Sequence, residues 1–315
     1  MHDAPVPRLG GIAIFISFLV STFVLSALIG GGYIATHDAI ELVQKLQAIL
    51  IAGALILFLG ILDDLKGMPA IVKLLGQIGC AALAFALGVR IPAVTVLGWQ
   101  FAGDDGAGMF VSFIVTVVWL VAITNMINLI DGLDGLAAGV VGIAALAIAY
   151  SAYVNGYPAA AFAMTIIAGA ALGFLPHNFY PAKVFMGDSG AMFLGFALAS
   201  VSIISPAKGA TVVAIIAPVI VLGVPLFDIL FAMFRRVKRR ESIFKADKGH
   251  LHHQLTRIGI GQRRSVVMLY GISGIMGIAA IVLSQELYLE AIGLFFIAVV
   301  FIIALIWGWD KNKEN

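Results

Sequence analysis

Hydrophobic residues fall along this chain in long unbroken runs, without the strict alternation of a barrel strand or the one-sided stripe of a soluble helix. A membrane-crossing helix needs about 20 mostly apolar residues. Ten segments meet or approach that length: 10–30, 46–62, 69–88, 109–127, 133–154, 158–176, 189–204, 210–234, 265–283 and 286–309. Continuous runs of this kind argue against a spanning β-barrel, whose strands alternate. The expected fold is therefore all-α: a polytopic integral membrane protein with about ten transmembrane helices. The first run is too long, and lacks a small-residue cleavage site, to read as a secretory signal.

Composition strengthens this picture. Of 315 residues 62% are hydrophobic and 11% charged, and the mean hydropathy is +1.07. Soluble domains carry about 25% charged residues, so the polar shell of a water-soluble fold is missing. The single Cys80 excludes an intrachain disulfide.

Charge sets the orientation. With a cytoplasmic N-terminus, Arg8, Lys66, Lys73, Lys183, Lys311, Lys313 and the ten basic residues between Arg235 and Arg264 face inward. Only Lys45, Arg90 and Lys208 face outward. That is 16 of the 19 basic residues on one side, the asymmetry expected of cytoplasmic loops. The chain reads as one membrane-embedded domain over 1–315, with 235–264 as a basic, histidine-containing cytoplasmic loop.

The carboxylates near membrane depth carry the chemistry, because a charge there costs at least about 2.5–3.5 kcal/mol. Asp63 and Asp64 end the second run in ILDDLKG. Two adjacent anions at a helix C-terminus repel each other and oppose the helix dipole. A cation or a phosphate-handling role accounts for both, and a neutral substitution at either is expected to relieve repulsion. In NMINLIDGLDGLAAG, Asn125, Asn128, Asp131 and Asp134 recur every third residue. They would form one polar stripe if the helix ran through them, offering oxygen ligands to a hard cation or holding a nucleotide or sugar hydroxyl. Asp188 lies in a GDSG turn opening the seventh run, where it could cap the helix or hold a metal bridging phosphate at free N–H groups. Phe185, three residues upstream, could stack on a base or simply pack. Asp228 lies in an apolar stretch between Pro225 and the Arg235 cluster, and pairing with a basic residue explains it equally well. His250, His252 and His253, with Lys248 and Arg257, read as an anion-binding cluster. Their spacing matches no usual zinc site.

Five separated segments then agree with one family. PVPRLGG (5–11), DDLKG with KLLGQ (63–77), NMINLIDGLDGLAAG (125–139), NFYPAKVFMGDSG (178–190) and PLFD through DKGHLHHQL (225–255) resemble the polyprenyl-phosphate N-acetylhexosamine-1-phosphate transferases, in order and over nearly the whole chain. The resemblance implies transfer of a sugar 1-phosphate from a UDP-sugar to undecaprenyl phosphate, releasing UMP, with a cytoplasmic active-site face in the bacterial plasma membrane. It implies Mg²⁺ as cofactor, with Mn²⁺ as the alternative. The partners implied are the two substrates and the lipid bilayer, not nucleic acid, with a homodimer left open. It places Asp63 and Asp64 at the lipid phosphate and Lys73 near the phosphates. Asn128, Asp131 and Asp134 fall in the nucleotide-sugar motif, with Asp131 and Asp134 grouped among the catalytic acids. Asn178 and Phe185 lie near the uridine, Asp188 and Asn128 at the metal, and Asp228, His250, His252, His253 and Arg257 with the substrates. The His-Leu-His-His pattern and PRLGG resemble the branch that uses UDP-GlcNAc more than the muramoyl-pentapeptide branch. Family members usually carry one more helix before PRLGG, so a family helix is expected to be missing here. An ion-coupled transporter is the alternative from another class, and a prenyl- or CDP-alcohol transferase a second enzyme class. The first predicts ionisable groups at helix centres and an inverted repeat; the second needs neither GDSG nor the histidines.

Overall fold

The structure is a computed structural model that describes residues 6–33, 39–91, 95–96, 99–100, 106–204 and 261–311. Nine helices lie among them: α1 (Gly10–Gly30), α2 (Ala39–Lys66), α3 (Ala70–Ala86), α4 (Gly106–Ile130), α5 (Leu136–Val154), α6 (Pro158–Asn178), α7 (Gly187–Ile204), α8 (Gln262–Ser284) and α9 (Tyr288–Lys311). Each corresponds to one expected run. The tenth, 210–234, lies outside the described residues, as do Asp228, His250, His252, His253 and Arg257. Seven helices are long and apolar enough to cross a membrane, while α3 and the Tyr288–Phe301 part of α9 are apolar but shorter. Among the described residues the departure from an all-helical chain is a two-residue ladder between α3 and α4, pairing Thr95 with Gln100 and Val96 with Trp99.

The centre of the bundle is α7. Every residue from Ser189 to Ile204 is buried, and the helix packs against α1, α2, α4 and α6. In lipid the tails are as apolar as leucine, so helices associate through close packing at small residues. The contacts follow that rule. A Cβ added at Gly11 of α1 would lie 2.3 Å from the Gly190 nitrogen, and one at Gly60 of α2 would lie 2.4 Å from Ser189 Cα. Larger side chains fill the next layer, with Phe193 edge-on to Phe15 at 5.1 Å and to Phe18 at 5.5 Å. On the α4 side the Trp119 indole N–H lies within hydrogen-bonding distance of both the Ala199 carbonyl (3.2 Å) and Ser202 Oγ (3.3 Å).

A first expected result concerns this packing. Gly11→Ala places its methyl against backbone that has no rotamer to yield. It should destabilise by at least the roughly 1–3 kcal/mol of core overpacking, read as a lowered Tm in detergent. Gly79→Ala on α3, with nothing within 4 Å of its added Cβ, should leave Tm unchanged. Equal Tm values for the two variants would mean α1 does not seat on α7 in this way.

The bundle gathers its polar loops at one end. Backbone bonds tie the start of α1 to the loop before α7: Gly10 N–H to Phe185 O (3.1 Å), Gly11 N–H to Met186 O (3.1 Å) and Phe185 N–H to Pro7 O (2.8 Å). The C-terminal ends of α2, α4 and α6 meet the N-terminal ends of α1, α3, α5, α7 and α8 here.

Candidate active site

Lys73, one turn into α3, is the junction of the site. Its ammonium lies 2.8 Å from Asp63 Oδ2 and 2.8 Å from Asp188 Oδ1, and donates to Asn128 Oδ1 at 3.1 Å. The Asn128 amide in turn donates to Asp188 Oδ1. Four residues from α2, α3, α4 and α7 thus share one charge-assisted cluster. The side chains of Lys73 and Asp63 are only 15% and 10% exposed, whereas Asp188 keeps 34%. Asp188 is therefore the member of the cluster most open to a ligand.

The adjacent acids of α2 do different things. Asp63 turns toward Lys73 and accepts the Met68 N–H at 2.6 Å, closing the α2–α3 turn. Asp64 reaches α7 instead: its two oxygens accept the N–H groups of Asp188 (2.8 Å) and Ser189 (3.0 Å). A carboxylate on these otherwise unpaired donors also meets the positive end of the helix dipole. The sequence offers those N–H groups to phosphate, or to a cap from Asp188. In the structure the cap comes from another helix. Gly187, at φ +71°, makes the approach possible, because a Cβ there would lie 2.7 Å from Asp64 Oδ2.

The expected polar stripe on α4 is only half helical. Asn125 and Asn128 lie on the helix and face α3, where Asn125 exchanges amide bonds with Gln77 at 2.6 and 3.3 Å. The helix stops at Ile130, and Asp131 and Asp134 stand in the turn that follows. Gly135, at φ +81°, is the N-cap of α5, and this left-handed residue separates α5 from the 131–134 turn. Asp134 Oδ2 accepts the Ala182 N–H at 3.0 Å. Asn178 Oδ1 accepts the Gly135 N–H at 3.0 Å, and its amide donates to Val184 O at 3.1 Å. Both residues are buried and hold the 131–135 turn against the loop after α6.

A cavity of about 340 Å³ opens between these loops, lined among others by Asp64, Asn128, Asp131, Asp134, Phe185 and Asp188, with Asn178 also at its wall. That lies within the range of small-molecule sites. Arg8 lines it as well; the sequence reading quoted its motif but gave it no role. The signal was an arginine beside a glycine pair, which is uninterpretable until α1 is known to start at the cavity. Burial, and then the carboxylates of Asp188, Asp64 and Asp134, push the Asp131 carboxyl well above its usual pKa.

This wall tests for a metal. Four carboxylates against one lining arginine repel a diphosphate unless a cation enters, and such a cation would reverse the repulsion felt by Asp131. The donors are oxygens, which suit a hard ion. Among the described residues no three His, Cys, Asp or Glu side chains form a closed metal cage. Mg²⁺ suits such a wall, since it commonly takes one or two carboxylates and completes its shell with phosphate and water. Asn128 donates its NH₂ to Asp188 and accepts from Lys73 at Oδ1, so the second lone pair of Oδ1 is what it can offer a metal.

Residues 46–206 match the glycosyl transferase family 4. The chain is 38% identical over 315 residues to a Bacillus subtilis protein named a probable undecaprenyl-phosphate N-acetylglucosaminyl 1-phosphate transferase, covering 99% of this chain and 84% of that one. It is 37% identical over 304 residues to a Mycobacterium tuberculosis decaprenyl-phosphate N-acetylglucosaminephosphotransferase, covering 89% and 72%. A Bacillus subtilis phospho-N-acetylmuramoyl-pentapeptide-transferase is 31% identical over 291 residues, covering 87% and 82%.

Proposed function

The chain belongs to glycosyl transferase family 4, and from that premise we propose that it transfers N-acetylglucosamine 1-phosphate from UDP-GlcNAc to undecaprenyl phosphate, releasing UMP. The observation that carries the reading is the Lys73 junction, which joins Asp63 to Asp188 at the edge of an acidic cavity. The higher identity to the N-acetylglucosaminyl relatives than to the muramoyl-pentapeptide one favours the smaller sugar.

Phosphoryl transfer asks mainly for positioning and charge stabilisation. A lipid phosphate oxygen attacks the sugar-bearing β-phosphorus; that P–O bond forms as the bond to UMP breaks, and the leaving oxygen keeps its electron pair. Asp188, with Asn128 beside it, would hold Mg²⁺ (or Mn²⁺), which supplies charge neutralisation for the diphosphate. Lys73 stays protonated between two carboxylates and adds positive charge beside the reacting phosphates. Asp63, held by Lys73 beside Asp188, is the acid assigned to position or remove a proton on the lipid phosphate, while Asp64, whose two oxygens accept α7 N–H groups, anchors the segment that carries Asp188. Arg8 meets the donor from the α1 side. The carboxylates gather at one end of the bundle, which suits a substrate site at the membrane surface better than an ion path through helix centres.

The direct test incubates membranes containing the protein with UDP-[¹⁴C]GlcNAc and undecaprenyl phosphate. Label should move into lipid with equimolar UMP. Transfer from UDP-MurNAc-pentapeptide instead would overturn the choice of sugar, and no transfer from either would overturn the reaction. The side of the membrane is tested separately. Lys183 is exposed in the loop beside the cavity, so a cysteine placed there should escape a membrane-impermeant maleimide in intact cells and react after lysis. Labelling in intact cells would put the cavity on the outer face, away from cytoplasmic UDP-sugars.

A further inference from the structure

Tyr270 was singled out by no motif, yet it touches the backbone of the loop that forms the cavity wall. It lies on α8, about two turns from Arg263, and both face the same loops. The Tyr270 hydroxyl donates to the Gly135 carbonyl at 2.5 Å, while the Arg263 guanidinium stands 5.8 Å from the centre of the Phe179 ring. The ring comes close because α5 offers Gly139 beneath it: a Cβ there would lie 2.1 Å from Tyr270 Cζ.

The hydroxyl bond is the first link of a short chain. Gly135 donates its own N–H to Asn178 Oδ1, and the Asn178 amide donates to Val184 O. Tyr270 is thereby joined through the 131–135 turn to the segment that carries Phe185 and leads into Asp188. The Gly135 carbonyl also accepts the Gly139 N–H at 3.0 Å, so the Tyr270 hydroxyl takes its second lone pair and adds a tie from α8 to the turn.

We propose that Tyr270 is a positioning residue that holds the 131–135 turn in the form that receives the sugar nucleotide. The donor part of this proposal rests on reading the cavity as the UDP-sugar site; the restraint on the turn does not.

Tyr270→Phe keeps the ring and removes the hydroxyl. Hydrogen–deuterium exchange on the purified protein should show faster exchange over residues 132–139 and no change in α2. With UDP-GlcNAc, the donor KM should rise about 3- to 10-fold, the range that loss of one neutral hydrogen bond allows. The undecaprenyl phosphate KM and kcat should stay within about twofold. Gly139→Ala, which displaces the ring, should raise donor KM similarly, and the double variant should add little to Tyr270→Phe because both break one contact.

Unchanged exchange in Tyr270→Phe would overturn the proposal. So would faster exchange with an unmoved donor KM, or a fall in kcat/KM of equal size for both substrates, which is what general loosening gives. Failure of the functional reading looks different. The wild type itself would then turn over no UDP-sugar, and the exchange experiment would still decide whether Tyr270 restrains the turn.

Discussion

Asp188→Ala is expected to abolish transfer, by more than about a thousand-fold at saturating donor and acceptor, with no recovery as Mg²⁺ is raised. A metal ion's stabilisation of the transferring phosphoryl group is worth several kcal/mol, and each 1.36 kcal/mol is a factor of ten in rate. Asp188 is the most open carboxylate of the Lys73 cluster, so its loss removes the carboxylate by which that cluster lines the cavity. It also leaves Lys73 with Asp63 as its remaining carboxylate partner and frees the Asn128 amide. The measurement is a Mg²⁺ titration of UMP release in wild type and variant membranes. Recovery at high Mg²⁺ would show that Asp188 only tightens metal binding. Full activity at ordinary Mg²⁺ would remove it from the site.

The second large effect falls on the adjacent acids. Asp63→Asn should lower turnover by about 10²–10⁴-fold, the usual worth of a positioned acid or base, and should lower Tm, because its one acceptor oxygen cannot serve both Lys73 and the Met68 N–H. Asp64→Asn should lower Tm as well as turnover. An asparagine has one acceptor oxygen for two N–H donors, and its NH₂ would face one of them. That leaves an α7 donor unsatisfied, at a cost of about 1–3 kcal/mol. Relief of repulsion between adjacent acids, the expectation from sequence, predicts no loss of Tm in either variant. Tm in detergent and kcat at saturating lipid, measured on both variants, separate the two accounts. A wild-type Tm in Asp64→Asn would mean that Asp64 does not anchor α7.

Much of the fold was legible before any coordinates. The run 158–176 became Pro158–Asn178, and 189–204 became Gly187–Ile204. Backbone groups in lipid must pair within their own helix, so hydrophobic length and the flanking Gly, Pro and Asn residues carry nearly all the information about where each helix stops. The fourth run, expected to end at 127, ends at Ile130, and the stripe that a continuing helix would have made stops with it. The turn at 131–134 and the left-handed Gly135 that caps α5 decide that point, and spacing does not encode them.

The site divides along the same line. Sequence by itself singled out nine residues that the structure gathers there, because carboxylates, a lysine and asparagines at membrane depth are too costly to be incidental, while Arg8 needed the structure. Asp63, Asp64, Lys73, Asn128, Asp131, Asp134, Asn178, Phe185 and Asp188 all lie at the same end of the bundle. It could not determine which residue touches which. Lys73 meets Asp188 across 115 positions, Asp64 caps a helix 124 positions away, and Tyr270 reaches Gly135 across 135. The first two depend on how closely α1, α2 and α4 settle onto α7, where Gly11, Gly60, Gly190 and Gly195 set the distance by lacking side chains, and the third on Gly139, which lets Tyr270 lie against α5. Each of these glycines looks ordinary alone, and only the packed bundle shows that a methyl group there would drive the helices apart and the site with them.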